Sequence, residues 1–430
     1  MTAWIDTPGH RDWLAGKTRR LLDFYLGAAD FDGGGFWELD RTGAPVTGRP
    51  KELWVNARLV HCFALGSLLG HPGCAALAEH GLDGLRRVFH DPDHGGWYWS
   101  ATAQGPVDSR KQTYGHAFVL LAASTATQAG FGASDLLAEA VDLIGTRLFE
   151  PGPGLYVEGW DRSWTTGEAY RGQNPNMHLV EAFMAAAEAT GDRGFIDRAG
   201  AVAARIIGEF AAADGWRIPE HYTAGWQPQP EFHRDKPRDV LRPYGYTPGH
   251  SLEWARLLLQ LRAQVGAQSG AGPDWMADAA GQLFARAVAD GWDAGRTGFV
   301  YTVDGDGVPV VADRFHWVAT EAIGAAAYLY RATGDPAYDR WYRQFWDHAA
   351  LHLIDRRDGS WWHELTPANQ PGFTTWPGKP DLYHALQATL FARTPLTAGL
   401  AAALATGQDQ PGRDQPGRDQ PGRDQPTLGR

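Results

Sequence analysis

Six histidines recur along the chain at intervals of about one helical hairpin, and each opens an apolar helical run or lies in its early turns. They are His61, His116, His178, His250, His316 and His384, which are 55, 62, 72, 66 and 68 residues apart. Self-similarity at a regular interval indicates a fold built from copies of one supersecondary unit. The interval therefore predicts six helical hairpins.

The sequence predicts twelve helices, two for each repeat. Their ranges are 9–28, 51–70, 73–90, 112–129, 134–149, 175–190, 193–212, 249–265, 274–290, 315–333, 336–351 and 381–393. Start and stop signals frame many of them, such as Asp335 and Pro336 before the eleventh and Gly191 after the sixth. Between helices, short aromatic stretches such as 95–99, 154–157, 298–302 and 360–363 alternate as strands do and predict small hairpins.

The helices alternate in character along the chain. Even-numbered ones, such as the run from His178 to Thr190, are apolar nearly all round, and odd-numbered ones carry charged residues on one face. A helix that is apolar all round is buried, and an amphipathic helix covers it. We therefore predict an all-α fold, an (α/α)6 barrel with short β-hairpins at one end. The inner helices then run in one direction, so their histidines meet at one end of the barrel.

Two segments depart from this pattern. The connection from Trp216 to Tyr246 has no clear periodicity and is longer than an ordinary turn, which is typical of a functional lid or rim. Near its end the chain becomes a polar Gln-Asp-Gln-Pro-Gly-Arg repeat that has too little apolar surface to offset the entropy of ordering. We predict a catalytic domain over 1–400 and a disordered low-complexity tail over 401–430.

The charge and cysteine content limit the function. A net charge of −11 and a pI near 5.8 give no basic footprint for nucleic acid or an anionic membrane. The N-terminus has no apolar signal region, and no long uncharged apolar run predicts a membrane span. The two cysteines, Cys62 and Cys74, fit a reducing compartment without disulfides. We expect a cytoplasmic protein, either a monomer or a small homo-oligomer.

Histidine and glutamate lie one helical turn apart at two of the helix starts, His178 with Glu181 and His250 with Glu253. A nearby carboxylate stabilises a protonated imidazole and fixes its orientation. Because its ordinary pKa is about 6.5, such a histidine can serve as both base and acid near neutral pH. Any single one could instead be a satisfied core residue, but several arriving together favour catalysis, with His250 and His384 as the catalytic pair.

Other polar and aromatic residues near the helix starts suit a sugar. Arg58 shares a helix face with Trp54 and His61, and its guanidinium could donate to hydroxyls or to an enediolate oxygen, whereas a rim salt bridge is its structural alternative. No short-spaced metal motif such as H-E-x-x-H occurs. We therefore expect no metal and no cofactor, although ligands from separate repeats could still assemble a metal cage.

Four motifs resemble the N-acylglucosamine 2-epimerase superfamily of (α/α)6-barrel sugar isomerases and epimerases, and most closely its aldose–ketose isomerase branch. They are Trp-x-x-x-Arg-x-x-His (54–61), Asn-x-x-x-His-x-x-Glu (174–181), Gly-His-x-x-Glu-Trp (249–254) and Tyr-His-x-x-Gln (383–387). The resemblance covers residues 8–395. It implies that His250 and His384 are the acid–base pair and that no metal is required. The predicted substrate-binding residues are Trp54, Arg58, His61, Tyr114, Asn174, His178, Glu181, Glu253, Trp317 and Gln387.

The resemblance implies an enzyme that interconverts D-mannose and D-fructose, and D-lyxose and D-xylulose as a further pair, through a cis-enediol(ate). A sugar 2-epimerase would use the same two histidines, so the residues alone leave both open. A glycoside hydrolase needs two carboxylates on either side of the scissile bond, and the carboxylates near the inner-helix starts lie beside histidines. A non-catalytic sugar-binding module would not need His/Glu pairs. Which histidine handles the carbon-bound proton also stays open.

Overall fold

The computed structural model describes residues 3–396 and 399–407, and helices dominate this part of the chain. The α-helices are α1 (Pro8–Tyr25), α2 (Leu53–Leu68), α3 (Cys74–Gly84), α4 (Thr113–Gln128), α5 (Ser134–Leu143), α6 (Gln173–Thr190), α7 (Gly194–Ala203), α8 (Pro248–Ser269), α9 (Asp274–Gly291), α10 (His316–Thr333), α11 (Pro336–His348), α12 (Tyr383–Phe391) and α13 (Leu400–Ala405). Helices α3, α5, α7 and α11 continue directly as π-helical turns over Leu85–Phe89, Ile144–Leu148, Ala204–Ala211 and Ala349–Leu353. Short 3₁₀ helices span Trp4–Asp6 and Leu26–Ala28.

The even-numbered helices from α2 to α12 form a closed inner ring. Each packs against the next, and α12 packs against α2 to complete the circle. Helices α3, α5, α7, α9 and α11 each pack on the inner helix that precedes them, and α1 packs on α12. Because α2 and α4 are buried on nearly every face, as the sequence pattern requires, they form the core. This arrangement is the predicted (α/α)6 barrel.

Short antiparallel strands decorate the end of the barrel at which the inner helices begin. They are β1 (Lys51–Glu52), β2 (Ser100–Thr102), β3 (Gly105–Asp108), β4 (Lys111–Gln112), β5 (Phe149–Glu150), β6 (Leu155–Tyr156), β7 (Gly159–Trp160), β8 (Arg171–Gly172), β9 (His221–Tyr222), β10 (Thr302–Val303), β11 (Pro309–Val311), β12 (Arg314–Phe315) and β13 (Glu364–Leu365). β1, β2 and β3 form one sheet, and the other pairs are β4 with β7, β5 with β6, β8 with β9, β10 with β11, and β12 with β13. Strands β1, β4, β8 and β12 lead directly into inner helices, which confirms the predicted hairpins at one end.

The same contact joins each outer helix to the start of the next inner helix. An acidic residue just after the outer helix binds a residue shortly before the inner helix, and we call these contacts the joining pairs. Five are ion pairs with nitrogen–oxygen distances of 2.5–3.1 Å: Asp30–Lys51, Asp91–Lys111, Glu150–Arg171, Asp293–Arg314 and Asp355–Lys379. In the sixth, between α7 and α8, the Tyr246 hydroxyl donates to Asp214 over 2.7 Å.

Helix α13 was not predicted and corrects the start of the predicted tail at residue 401. It packs against α2 and α4 and buries Leu400, Ala403 and Leu404. This segment is apolar, unlike the polar repeat after it, so it can contribute to the core. The remainder of the predicted tail, residues 408–430, lies outside the described residues.

Helices α1 to α12 match the twelve predicted ones, with boundaries that differ by a few residues. None of the helices in the described ranges is long and apolar enough to cross a bilayer.

Candidate active site

A cavity of about 570 Å³, open to solvent, lies at the end of the barrel where the inner helices begin. It is lined by Trp54, Arg58, Tyr114, Asn174, His178, Val240, Leu241, His250, Glu253, Tyr301, His316, Trp317, His363, Trp376, Asp381 and His384. Both predicted catalytic histidines and seven of the ten predicted substrate-binding residues therefore come together. Val240 and Leu241 belong to the 216–246 connection, which thus reaches the cavity as the predicted rim would.

His250 lies in the first turn of α8, after Thr247 and Pro248 as the sequence predicts. The Thr247 side chain makes no capping bond, and its backbone amide donates instead to Glu220 over 3.2 Å. The His250 Nδ1 is 2.9 Å from both Glu220 carboxylate oxygens. Burial alone would raise the pKa of Glu220, but the neighbouring His250 outweighs it and the pKa is lowered. The carboxylate therefore accepts from the Nδ1–H of His250. The Nε2 of His250 is then free to face the cavity.

Glu220 is itself fixed from the inner ring. The Gln173 amide nitrogen donates to Glu220 over 2.8 Å, and the Gln173 oxygen accepts from the Trp254 indole over 2.7 Å. All three side chains are buried. The Gln173 amide nitrogen also lies 2.9 Å from His250 Nδ1, so Gln173 contacts both members of the dyad. The position of the Glu220 carboxylate, and with it the His250 ring, is therefore set by the core.

His384 forms a second dyad, at the start of α12. The Asp381 carboxylate accepts from His384 Nδ1, and its other oxygen accepts the His384 backbone amide over 3.3 Å, so Asp381 also caps the helix. Burial alone would raise the pKa of Asp381, but His384 and Arg58 outweigh it and hold that pKa well below its usual range. Burial lowers the pKa of His384, and Asp381 offsets only part of that effect. His384 is therefore a neutral base near pH 7.

The Trp317 ring lies between the two dyads. Its centroid is 5.1 Å from the His250 ring and 5.9 Å from the His384 ring. An aromatic face at this position offers an apolar surface against which the carbon atoms of a bound sugar can pack. A small substrate held there would be within reach of both imidazoles.

Arg58 is surrounded by aromatic rings and oxygen atoms. Its Nη2 donates to the Tyr114 hydroxyl over 2.9 Å, and its Nη1 is 3.7 Å from Asp381. The guanidinium carbon is 4.2 Å from the Phe118 ring centroid and 4.8 Å from that of Tyr383. Burial alone would lower the pKa of Arg58, but Tyr114 and Asp381 outweigh it and raise that pKa. Arg58 thus supplies a permanent, oriented positive charge at the cavity wall.

Beneath the histidines, one arginine serves three carboxylates, and we call Arg256, Glu181, Glu253 and Glu321 the floor cluster. Arg256 is 2.7 Å from Glu321, 3.5 Å from Glu253 and 3.6 Å from Glu181. Burial, together with the nearby charge of Glu321, raises the pKa of Glu253 well above its usual range. This shift favours the protonated form of Glu253, which can donate a hydrogen bond.

One of the two predicted His/Glu pairs differs in the structure, whereas His178 does lie 3.9 Å from Glu181. His250 binds Glu220 rather than Glu253, and the Glu253 carboxylate lies 3.7 Å from His178 in the neighbouring repeat. Burial lowers the pKa of His178 to about 3, although Glu181 opposes this. The expectation that glutamate keeps this imidazole protonated is wrong, because the loss of solvation outweighs the attraction. His178 is neutral and suits hydrogen bonding rather than charge stabilisation.

Three predicted substrate-binding residues lie elsewhere. His61, Glu181 and Gln387 line a second cavity, deeper in the barrel. His61 is the ninth residue of α2 and His384 the second of α12. His61 thus lies seven residues farther from the start of its helix than His384 does, which corresponds to about 10 Å along the barrel at 1.5 Å per residue. The structure therefore places these three residues at the second cavity and not at the catalytic one, and their contact with substrate stays a prediction.

His116, another of the six histidines, has a structural environment. Its Nδ1 donates to the Gln112 carbonyl over 2.8 Å, and its Nε2 is 3.4 Å from the Trp97 amide nitrogen. In two other repeats, Asn56 and Asn176 accept an equivalent backbone amide. His116 therefore holds a loop against the barrel and does not line the catalytic cavity.

Sequence reasoning missed Glu220, Asp381 and His363 at this site. Asp381 had a readable signal, because it lies three residues before His384 and so within one helical turn. Glu220 had none, because it is 30 residues before His250 in an irregular connection. His363 stacks on His316 with a centroid distance of 4.0 Å.

The donor set also bears on metal binding. His316, Asp381 and His384 place ligand atoms within 4.8 Å of one another. However, Asp381 already accepts from His384, and the Arg58 guanidinium lies against it. A fixed positive charge beside the only carboxylate of this group opposes a divalent cation. This group of three therefore fits acid–base chemistry better than a metal centre.

Comparisons with known proteins agree with this geometry. The family model described as N-acylglucosamine 2-epimerase matches residues 34–388. A D-mannose isomerase of Thermobifida fusca is 49% identical over 411 residues, covering 94% of this chain and 100% of the relative. One from Pseudomonas cannabina pv. alisalensis is 45% identical, covering 94% and 97%. A crystal structure of D-mannose isomerase, 30% identical, superimposes with a TM-score of 0.84 over 91% of this chain and 99% of that one.

The match of the family model extends over most of the chain and includes α2, α4, α6, α8 and α10 whole, the first part of α12, both dyads and the floor cluster. It therefore covers all the groups that give the cavity its acid–base character. The protein is an enzyme of the isomerase or epimerase kind, and it belongs to the N-acylglucosamine 2-epimerase family.

Proposed function

We propose that the protein interconverts D-mannose and D-fructose through a cis-enediol(ate). One observation carries the proposal: two imidazoles, His250 and His384, face one cavity from either side of Trp317, each with its Nδ1 bound to a carboxylate. This arrangement leaves two Nε2 atoms as acid–base groups for one small substrate. The names of the relatives at 49% and 45% identity support the choice of sugar.

In this mechanism one histidine removes the proton from C2 of the open-chain aldose and returns it at C1. The second moves a proton between O1 and O2, so that the carbonyl group passes from C1 to C2. The atoms balance within the substrate, and no external oxidant or reductant is needed. Arg58 stabilises the negative charge that develops on the two oxygens, because its guanidinium is fixed before the reaction begins. Glu253, whose raised pKa favours its protonated form, and the neutral His178 are available to bind hydroxyl groups.

The test is proton NMR of D-mannose incubated with the enzyme in D₂O. The expected product is D-fructose with deuterium in part of its C1 positions, since the catalytic base exchanges with solvent before it returns the proton. D-glucose as the main early product, with deuterium at C2 and none at C1, would support a 2-epimerase instead. The His250→Ala and His384→Ala variants are the controls, and we expect kcat to fall by about 10²–10⁴-fold in each.

The same proposal covers the conditions in which the enzyme works. We infer activity in the cytoplasm without a metal or cofactor, as a monomer or small homo-oligomer, with D-lyxose and D-xylulose as a further substrate pair. Cys62 and Cys74 are both free and buried, which fits a reducing compartment. Light scattering coupled to gel filtration determines the oligomeric state, and D-lyxose in the same NMR assay tests the second pair.

A further inference from the structure

The barrel holds a second cavity, slightly smaller than the catalytic one, below the floor cluster, and we call it the lower cavity. Arg256 and Glu181 line it, while Glu253 and His178 line the catalytic cavity, so the floor cluster separates the two spaces. Residues Gly399 to Ala401 cover the lower cavity from the far side. The Gly399 amide donates to Glu188 over 2.7 Å and holds this cover in place.

The lower cavity carries several polar side chains among its apolar ones, although it lies in the centre of a helical ring. Its lining includes His61, Gln128, Gln260, Gln264 and Gln387. A ring of inner helices could fill this space with apolar side chains at no cost in hydrogen bonds. Buried amides are stable only where their donors and acceptors are paired. The protein itself pairs one polar atom of each glutamine, with the Ala185 carbonyl for Gln128, Arg256 for Gln260, Glu188 for Gln264 and Glu181 for Gln387. Only their remaining polar atoms need another partner.

Part of this polar lining makes no hydrogen bond within the described residues. The Gln387 Oε1 has none, and the Arg256 Nη2 lies 3.5 Å from a Glu253 oxygen without forming one; both residues are only 1% exposed. One is a donor and the other an acceptor, and each belongs to a side chain that lines the lower cavity. Two such groups are suited to a molecule that both accepts and donates hydrogen bonds.

The remaining lining defines the chemistry of that molecule. Glutamine side chains donate and accept, and His61 is neutral because burial lowers its pKa to about 4. The charged lining residues are Arg256, Glu181 and Glu188, of which two are acidic, so an anion would be repelled on balance. Hydroxyl groups match this environment, since each can donate and accept in turn.

We propose that the lower cavity binds an uncharged, hydroxyl-rich molecule no larger than a monosaccharide, and that its occupancy changes turnover in the catalytic cavity. The coupling passes through Arg256, which is 3.5 Å from Glu253 on one side and 3.6 Å from Glu181 on the other. A ligand that accepts a hydrogen bond from Arg256 competes with Glu253 for the guanidinium. The binding step stands independently of the proposed function, whereas the effect on turnover rests on it.

The probe is D-mannitol, which has the hydroxyl groups of a hexose but no carbonyl and so cannot be isomerised. With the full chain we expect crystals soaked in D-mannitol to show a molecule in each cavity. In kinetics on D-mannose, mannitol should inhibit in a mixed manner and lower kcat at least two-fold at saturating substrate. The substitution Gln264→Leu, remote from the catalytic histidines, should abolish the kcat effect and the lower-cavity density while competitive inhibition persists.

Purely competitive inhibition in the unaltered enzyme, or crystals in which mannitol occupies the catalytic cavity alone, would overturn the proposal. If Gln264→Leu does not fold, Gln128→Leu on α4 serves the same purpose. Failure of the isomerase proposal gives a different result, because the enzyme would then not convert D-mannose. The crystallographic occupancy of the lower cavity would still decide the binding step in that case.

Discussion

At the scale of single residues, Glu220 and Asp381 each bind the Nδ1 of a catalytic histidine, but they do so in different electrostatic surroundings. Asp381 lies 3.7 Å from the Arg58 guanidinium. Glu220 is bound by the neutral groups Gln173 and the Thr247 amide. A cation beside a carboxylate weakens its attraction for an imidazolium. Arg58 therefore reduces the effect of Asp381 on His384 and favours the neutral form of that histidine.

The Asp381→Asn variant tests this account of His384. Because Asp381 raises the pKa of His384, its loss should lower that pKa further, and the acid limb of kcat should move to lower pH. We also expect kcat to fall at least ten-fold, since the amide no longer fixes the imidazole tautomer. The pH profile of kcat measures both effects. A limb that stays in place or moves to higher pH would show that another group controls it.

Metal dependence is also decided at the residue scale. Since Asp381 is already engaged by His384 and Arg58, we expect exhaustive treatment with EDTA to leave kcat and KM unchanged. The measurement is the isomerisation rate before and after chelation, with a metal-dependent sugar isomerase treated in parallel to confirm that chelation was complete. Activity that disappears and returns with Zn²⁺, Mn²⁺ or Co²⁺ would make the histidines ligands.

At the scale of elements, the joining pairs hold each inner helix to the outer helix before it. Lys379 and Asp355 are nearly inaccessible to solvent, and Lys379 also donates to the Gly359 carbonyl over 2.7 Å. Replacing Lys379 by Met leaves a buried carboxylate without its counter-charge, so we expect a loss of about 3–5 kcal/mol in the free energy of unfolding. Urea denaturation measures it.

The control for Lys379→Met is the double variant with Asp355→Leu, which removes both charges. It should recover much of the loss, since a buried pair replaced by apolar groups is often close to neutral. A double variant less stable than the single one would mean that Asp355 has some other essential partner.

The sequence predicted the helices, their alternation and the ring, because hydrophobic periodicity within each segment determines which face is buried. It also predicted most of the cavity, because residues at the starts of parallel inner helices must converge. Depth was predicted less well. A shift of a few residues along a helix moves a side chain by several ångströms, which separates His61 from His384. The Glu220–His250 contact joins segments distant in sequence, and a single sequence carries no signal for it.

At the scale of the whole molecule, α13 closes the end of the barrel opposite the catalytic cavity. Ending the chain after Thr394 removes α13 and exposes the surface that Leu400 and Leu404 cover, and we expect about 2–5 kcal/mol of lost stability. Ending it after Gly407 removes only the polar repeat and should leave the thermal midpoint and kcat unchanged. Calorimetry of the two truncated proteins distinguishes these cases. A lowered midpoint in the longer one would show that the repeat contributes to folding.

The joining pair between α7 and α8 differs from the other five, and the difference affects the catalytic histidine His250. Between α7 and α8 the basic partner is replaced by Tyr246, and this side chain borders the same crevice as Glu220. A lysine here would restore the pattern, but it would also place a competing cation near the carboxylate that controls His250. We expect Tyr246→Lys to keep the thermal midpoint within a few degrees and to lower kcat at least ten-fold, with Tyr246→Phe as the uncharged control. The one joining pair that breaks the repeating pattern thus keeps a cation away from Glu220, the carboxylate that binds His250.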